Sequence, residues 1–173
     1  MKSTIEYLIF LCTTAAFMST GYELQAQGAE SKLVDLGIEL PAVSPPIANY
    51  VKFRRSGHLL YISGHVPSIK GKIGHDLTTE QGYEAAKETA ISILATINSA
   101  LGDLDKVDYF VKIDGMVNCT DDFYDQSKVI NGCSDLLVAI FGENGKHTRT
   151  AVGHNSLPGN YAVEISAVLA IKE

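Results

Sequence analysis

Tyr83, Ala86, Ala90, Leu94, Ile97 and Leu101 recur at steps of three and four, which gathers them on one side of a helix and commits that side to burial. Thr78 stands where its hydroxyl can cap this helix and Gln81 where its amide can reach back, the capping-box spacing. Gly102 supplies a residue free to turn left-handed at the other end. A helix with one apolar stripe needs a flat partner, and the rest of the chain offers strands.

Tyr50 to Phe53 and His58 to Val66 read as two strands joined by a tight turn over Arg54 to Gly57. Val107 to Cys119 reads as a long central strand with a bulge at Gly115. A second helix is predicted over Lys128 to Phe141, its stripe made of Val129, Cys133, Leu136, Leu137 and Ile140 and its end set by Gly142. Thr148 to Leu157 and Tyr161 to Ile171 flank the turn pair Pro158-Gly159, so the chain is expected to close on a hairpin. The order β-β-α-β-α-β-β implies a two-layer α+β domain, with both helices on one face of a mixed sheet.

The ends of the chain carry other signals. Lys2, the apolar run Tyr7 to Leu11 and the small residues Thr13 to Ala16 have the layout of a secretory leader over residues 1 to 26, cleaved after Ala26. Its apolar core is about a dozen residues, short of the roughly 20 that span a membrane, so removal and a periplasmic or secreted product are expected, with no membrane attachment afterwards. Residues 27 to 46 end in Pro41-Ala42-Val43-Ser44-Pro45-Pro46 and read as an extended lead-in to a single domain over residues 47 to 173.

The chain carries a net charge of −6, and losing Lys2, Glu6 and Glu23 with the leader leaves it acidic. Apart from Arg54-Arg55 its basic residues are scattered, so no phosphate-neutralising stripe exists and nucleic acid is not an expected partner. Cys119 and Cys133 are either a disulfide or two buried thiols, and the second is favoured because a domain of this size needs no staple. No pair of the five histidines has the i, i+4 spacing of a zinc helix, and neither metal nor cofactor is expected.

Weaker motifs dissolve on inspection. Gly142 to Lys146 lacks the spacing and the Ser or Thr of a phosphate loop, and reads as a turn. Ser63 and His65 share a strand face at i, i+2, but no nucleophile elbow accompanies them. Asn118-Cys119-Thr120 matches a glycosylation sequon by pattern. Arg149 begins a strand and Glu164 lies across the expected closing hairpin; strand statistics alone favour a surface charge and its solvated partner, yet Glu164 sits amid Val163, Ile165 and Ala167, where an unpartnered carboxylate is costly to bury.

These last residues carry a resemblance. Arg149-Thr-Ala-Val-Gly, then Leu157-Pro158, then Ala162-Val163-Glu164-Ile165 is similar to the signature of the Rid (YjgF) family of imine and enamine deaminases. Asn49-Tyr50, Leu60 to Pro67, Asp103 to Val107 and Asp122-Phe123 resemble further family landmarks in the same order, so the likeness spans Pro45 to Ile171. It implies a chorismate-mutase-like fold, a homotrimer with ligand clefts between subunits, and cofactor-free hydrolysis of 2-imino or enamine acids to 2-oxo acids and ammonia.

By the same resemblance Arg149 would hold the substrate carboxylate and Glu164 would orient or deprotonate water. Tyr50, Ser63, Gly64 and Asn131 would line the cleft. Ala151 replaces a cysteine that many relatives carry, leaving only a backbone contact at that position. Two other readings remain: a trimer that binds small carboxylates without turnover and, disfavoured by the acidic charge, an endoribonuclease.

Overall fold

The computed structural model describes residues 28–172. The expected leader, Cys12 included, lies outside them. Helix α1 (Ala29–Asp35) opens the described chain, followed by strands β1 (Phe53–Ser56) and β2 (Leu59–His65), helix α2 (Thr79–Leu101), strand β3 (Val107–Asn118), helix α3 (Gln126–Phe141), and strands β4 (Thr148–His154) and β5 (Val163–Ile171). The sheet has five strands in the order β1-β2-β5-β3-β4, mixed because only β3 and β4 run parallel. Helices α2 and α3 cover one of its faces, which is the α+β architecture the sequence predicts.

Local chemistry explains the helices. Thr78 accepts from the Gln81 amide while the Gln81 side chain accepts from Thr78, and Gly102 ends α2 at φ 76°. Ala86, Ala90, Leu94 and Ile97 of the predicted stripe are fully buried, as are Val129, Cys133 and Leu137 of α3. At Gly132 the two helices touch so closely that a methyl group would overlap the Tyr83 carbonyl oxygen.

Three expectations about strands need correction. β1 occupies Phe53–Ser56, where a turn is predicted, because Ser56 pairs with Leu59 and the reversal tightens to Gly57-His58, with Gly57 at φ 60°. Gly115 is not a bulge. A side chain there would run into Ile130, so this glycine lets α3 settle on the sheet. The closing hairpin is also absent: α3 carries the chain across so that β4 lies parallel to β3 on its outer side, and β5 enters on the inner side between β2 and β3. The polar sequence of β4 tolerates an edge, while β5 has Val163, Ile165, Ala167, Leu169 and Ile171 all buried and needs two neighbours.

The lead-in is only partly extended. Its prolines govern residues near 41 to 46, and upstream of them Ala29 to Asp35 is free to coil. Ala29 and Leu33 are buried, the Ala29 amide donates to Asp105, and Glu30 accepts from the Leu104 amide. The helix is therefore part of the folded unit.

His65, 4% exposed, joins the layers. Its Nδ1 lies 2.7 Å from the Ser63 carbonyl, which can only accept, so Nδ1 carries the proton and Nε2 accepts from Thr96 Oγ1 of α2 at 2.8 Å. Burial lowers the pKa of this ring, aided by Lys52 and opposed by the Ser63 carbonyl. Between that lowered value and the ordinary 6.5, the unfolded chain binds a proton that the native chain does not. His65 thus contributes stability that is intact above about pH 6.5 and declines as the pH falls below it. The melting temperature is expected to be lower at pH 5 than at pH 7, and His65→Gln to flatten that slope. An unchanged slope in the variant would assign it to other groups.

Candidate active site

Arg149 pairs with Ile113 of β3 and therefore projects to the helix side of the sheet at its outer edge. There α3 presents Asn131 and Ser134, three residues apart on one helix face. Nη1 of Arg149 donates to Asn131 Oδ1 at 2.8 Å and to Ser134 Oγ at 3.1 Å. Both hydrogens of Nη1 are thereby engaged, and the guanidinium turns its Nε and Nη2 edge outward. Two parallel N–H donors on one edge match the two oxygens of a carboxylate.

Ala151, two residues on, shares that face and pairs with Gly115. Cys133 lies beneath, and burial pushes its thiol pKa up to about 12 despite the nearby Arg149 charge. It is not a thiolate nucleophile at neutral pH. Cys119 and Cys133 are both free and buried, as packing residues would be.

Glu164 belongs to a different place. It pairs with Met116, three residues beyond Ile113 along an unbroken stretch of β3, and so faces the open side of the sheet. Val163 and Ile165 on either side point into the core while Glu164 stays half-buried. Opposite it, the pairing of β2 with β5 jumps from Ile62↔Ala167 to His65↔Ile165, a bulge of one extra residue at Ser63-Gly64. The Glu164 carboxylate rests against Gly64, where any side chain would overlap Oε1. Ser63 donates its hydroxyl to the Val51 carbonyl at 2.7 Å and its amide to Lys52, which holds the segment bearing the exposed Tyr50 alongside.

The structure thus brings together Arg149, Asn131 and Ala151 in one cluster, and Glu164, Gly64 and Ser63 in another, with Tyr50 one residue before the Val51-Lys52 segment that Ser63 holds. It does not bring Arg149 to Glu164. With β3 between their strands and a three-residue offset, their Cα atoms are about 14 Å apart by strand spacing, on opposite faces of the sheet. The bulge also separates Ser63 from His65: the ring turns inward to Thr96 and meets only the Ser63 carbonyl, so these two side chains form no dyad.

Two members of the first cluster escape the sequence reading, Ser134 and His147. Ser134 was reachable by helical spacing from Asn131, whereas His147 required knowing that the Gly142–Gly145 segment is a 3-10 turn folding back on α3. Asn118 of the sequon is 1% exposed, with Nδ2 set among Gly71, Asn160 and Tyr161, and is closed to glycosylation in the folded chain.

Comparison with known proteins adds an independent line. The family model described as "YjgF/chorismate_mutase-like, putative endoribonuclease" matches residues 30–169. Protein TCP17 of Trypanosoma cruzi is 40% identical over 148 residues, covering 82% of this chain and 92% of that protein. Among solved structures, a protein of unknown function from Agrobacterium tumefaciens is 42% identical with a TM-score of 0.78, covering 83% of this chain and 92% of its own. A "putative endoribonuclease" from Shewanella oneidensis MR-1 is 29% identical with a TM-score of 0.81, covering 84% and 100% respectively. A Rid-family protein from Yersinia pestis, 21% identical with a TM-score of 0.53 and covering 77% of this chain and 95% of its own, shares the fold.

Proposed function

The chain belongs to the YjgF/Rid family, and from that premise we propose that it hydrolyses 2-imino or enamine acids to 2-oxo acids and ammonia in clefts between the subunits of a homotrimer. The observation that carries this reading is the division of the site. One chain holds a carboxylate-binding edge at Arg149 on one face and a half-buried carboxylate at Glu164 on the other. Each is half of a site, and a neighbouring subunit can supply the other half. The open sheet face supports such a contact, since it exposes Tyr61 and Val152 and only half covers Met116 and Val168.

In that cleft Arg149 binds the substrate carboxylate through Nε and Nη2, which leaves C2 of the imine facing the neighbour's Glu164. Glu164 accepts a proton from water as the oxygen bonds to C2, giving a carbinolamine. Transfer of that proton to the nitrogen of the carbinolamine, which is neutral because the imine enters protonated, makes ammonia the leaving group; as the C–N bond breaks, Glu164 takes up the hydroxyl proton, and the 2-oxo acid and ammonia result. An enamine enters the same path after protonation at C3. No step requires a metal or cofactor.

The nuclease activity in the relatives' descriptions is theirs. Here a net charge of −6 works against a polyanion. The test of the proposal adds purified protein to imino acids generated in situ. Faster 2-oxo acid release than in buffer, from a particle of three subunits by light scattering, is the expected result. No acceleration removes the deaminase reading and leaves a carboxylate binder, and a monodisperse monomer removes the shared cleft.

A further inference from the structure

Ser134 accepts from Arg149, but its own hydrogen goes the other way. Its Oγ lies 3.0 Å from His147 Nε2, and His147 Nδ1 lies 2.7 Å from the Gly145 carbonyl. A carbonyl only accepts, so Nδ1 carries the proton, and in the neutral ring Nε2 is then an acceptor that takes the Ser134 hydrogen. The chain of donors has one polarity throughout: Arg149 to Ser134, Ser134 to His147, His147 to Gly145. With its hydrogen drawn to His147, the Ser134 oxygen turns a lone pair to the guanidinium. Burial lowers the His147 pKa, with Arg149 adding to the effect and the Gly145 carbonyl opposing it, which favours the neutral ring the arrangement needs.

We propose that His147 is a positioning residue for Arg149, acting through Ser134 to hold the guanidinium with its Nε and Nη2 edge toward the substrate carboxylate. This rests on the carboxylate-anchoring role given to Arg149 above. His147 and Ser134 touch no substrate. Their effect is on the orientation of the group that does, so they act on ligand affinity and KM more than on kcat.

His147→Asn keeps a donor for Gly145 but is too short to reach Ser134, whereas His147→Gln reaches it with an acceptor oxygen. Pyruvate, a simple 2-oxo acid, is titrated calorimetrically into wild type, His147→Asn, Ser134→Ala, the double variant and His147→Gln, with thermal melts alongside. His147→Asn and Ser134→Ala are each expected to weaken pyruvate about five- to tenfold, the worth of one ordinary hydrogen bond. The double variant should lose no more than Ser134→Ala alone, because the histidine acts only through the serine, and His147→Gln should bind within about twofold of wild type.

Wild-type affinity in His147→Asn, or losses that multiply in the double variant, would overturn the proposal. Should His147→Asn melt early, the Ser134→Ala and His147→Gln pair decides: unchanged affinity in the first, or a loss in a stably folded second, overturns it equally. Arg149→Lys separates the two levels. If it too binds pyruvate like wild type, the anchor itself fails; if it alone binds weakly, only the role of His147 falls.

Discussion

Glu164→Gln is expected to lower imino acid turnover by about 10²- to 10⁴-fold, the usual worth of a positioned general base, while pyruvate affinity stays within about twofold of wild type. The carboxamide is nearly isosteric, so the bed that Gly64 leaves for this side chain remains filled and Val163 and Ile165 keep their places in the core. What is lost is basicity. A fall below tenfold would mean that water is activated elsewhere, and a parallel loss of binding would mean that Glu164 holds the ligand instead of the water.

Arg149→Lys is expected to weaken 2-oxo acid binding by about 1.5 to 3 kcal/mol, the scale of a hydrogen bond to a charged group. Lysine keeps the charge but has no planar fork to satisfy Asn131 and Ser134 on one edge and a carboxylate on the other. Stability should barely change, by about 0 to 1 kcal/mol, since Arg149 is exposed and water can replace it against α3. Equal affinities in the two proteins, measured by calorimetry, would reduce Arg149 to a surface charge.

Helices α2 and α3 were legible because their signals are local. The Thr78 to Gln81 box and the stripe from Val129 to Ile140 each lie within one element and need no knowledge of the rest. Strand order is not local. Pro158-Gly159 correctly marks a reversal, with Gly159 at φ 63° and Asn160 at φ 57°, yet a reversal does not state which strand the chain joins next. Here it passes the end of β3, where Asn118 is packed against Asn160 and Tyr161, and enters the centre of the sheet. The sequence did hold a clue in the contrast between Thr148-Arg149-Thr150, fit for an edge, and the unbroken apolar face of Val163 to Ile171.

The same limit applied to the site. Arg149, Asn131, Ser63, Gly64 and Glu164 could be picked out from the sequence, but placing Arg149 opposite Glu164 depended on the hairpin that does not exist. The bulge at Ser63-Gly64 was also hidden, because it arises from the pairing of β2 with β5 and from the need to leave room for Glu164. Helix α1 was masked by the prolines downstream of it, although its contacts with Leu104 and Asp105 hold it to the domain.

A site divided between subunits, as proposed, is tested most directly by subunit mixing. Arg149→Lys and Glu164→Gln proteins, the first impaired in binding and the second in turnover, are unfolded together in equal amounts, refolded and assayed for imino acid hydrolysis at substrate concentrations well below saturation. In a ring of three where each cleft takes Arg149 from one subunit and Glu164 from the next, random assembly leaves about one cleft in four with both native residues. Activity near a quarter of wild type is the predicted result. Activity no greater than that of the two variants refolded separately would contradict a shared site and place the chemistry within one chain or nowhere.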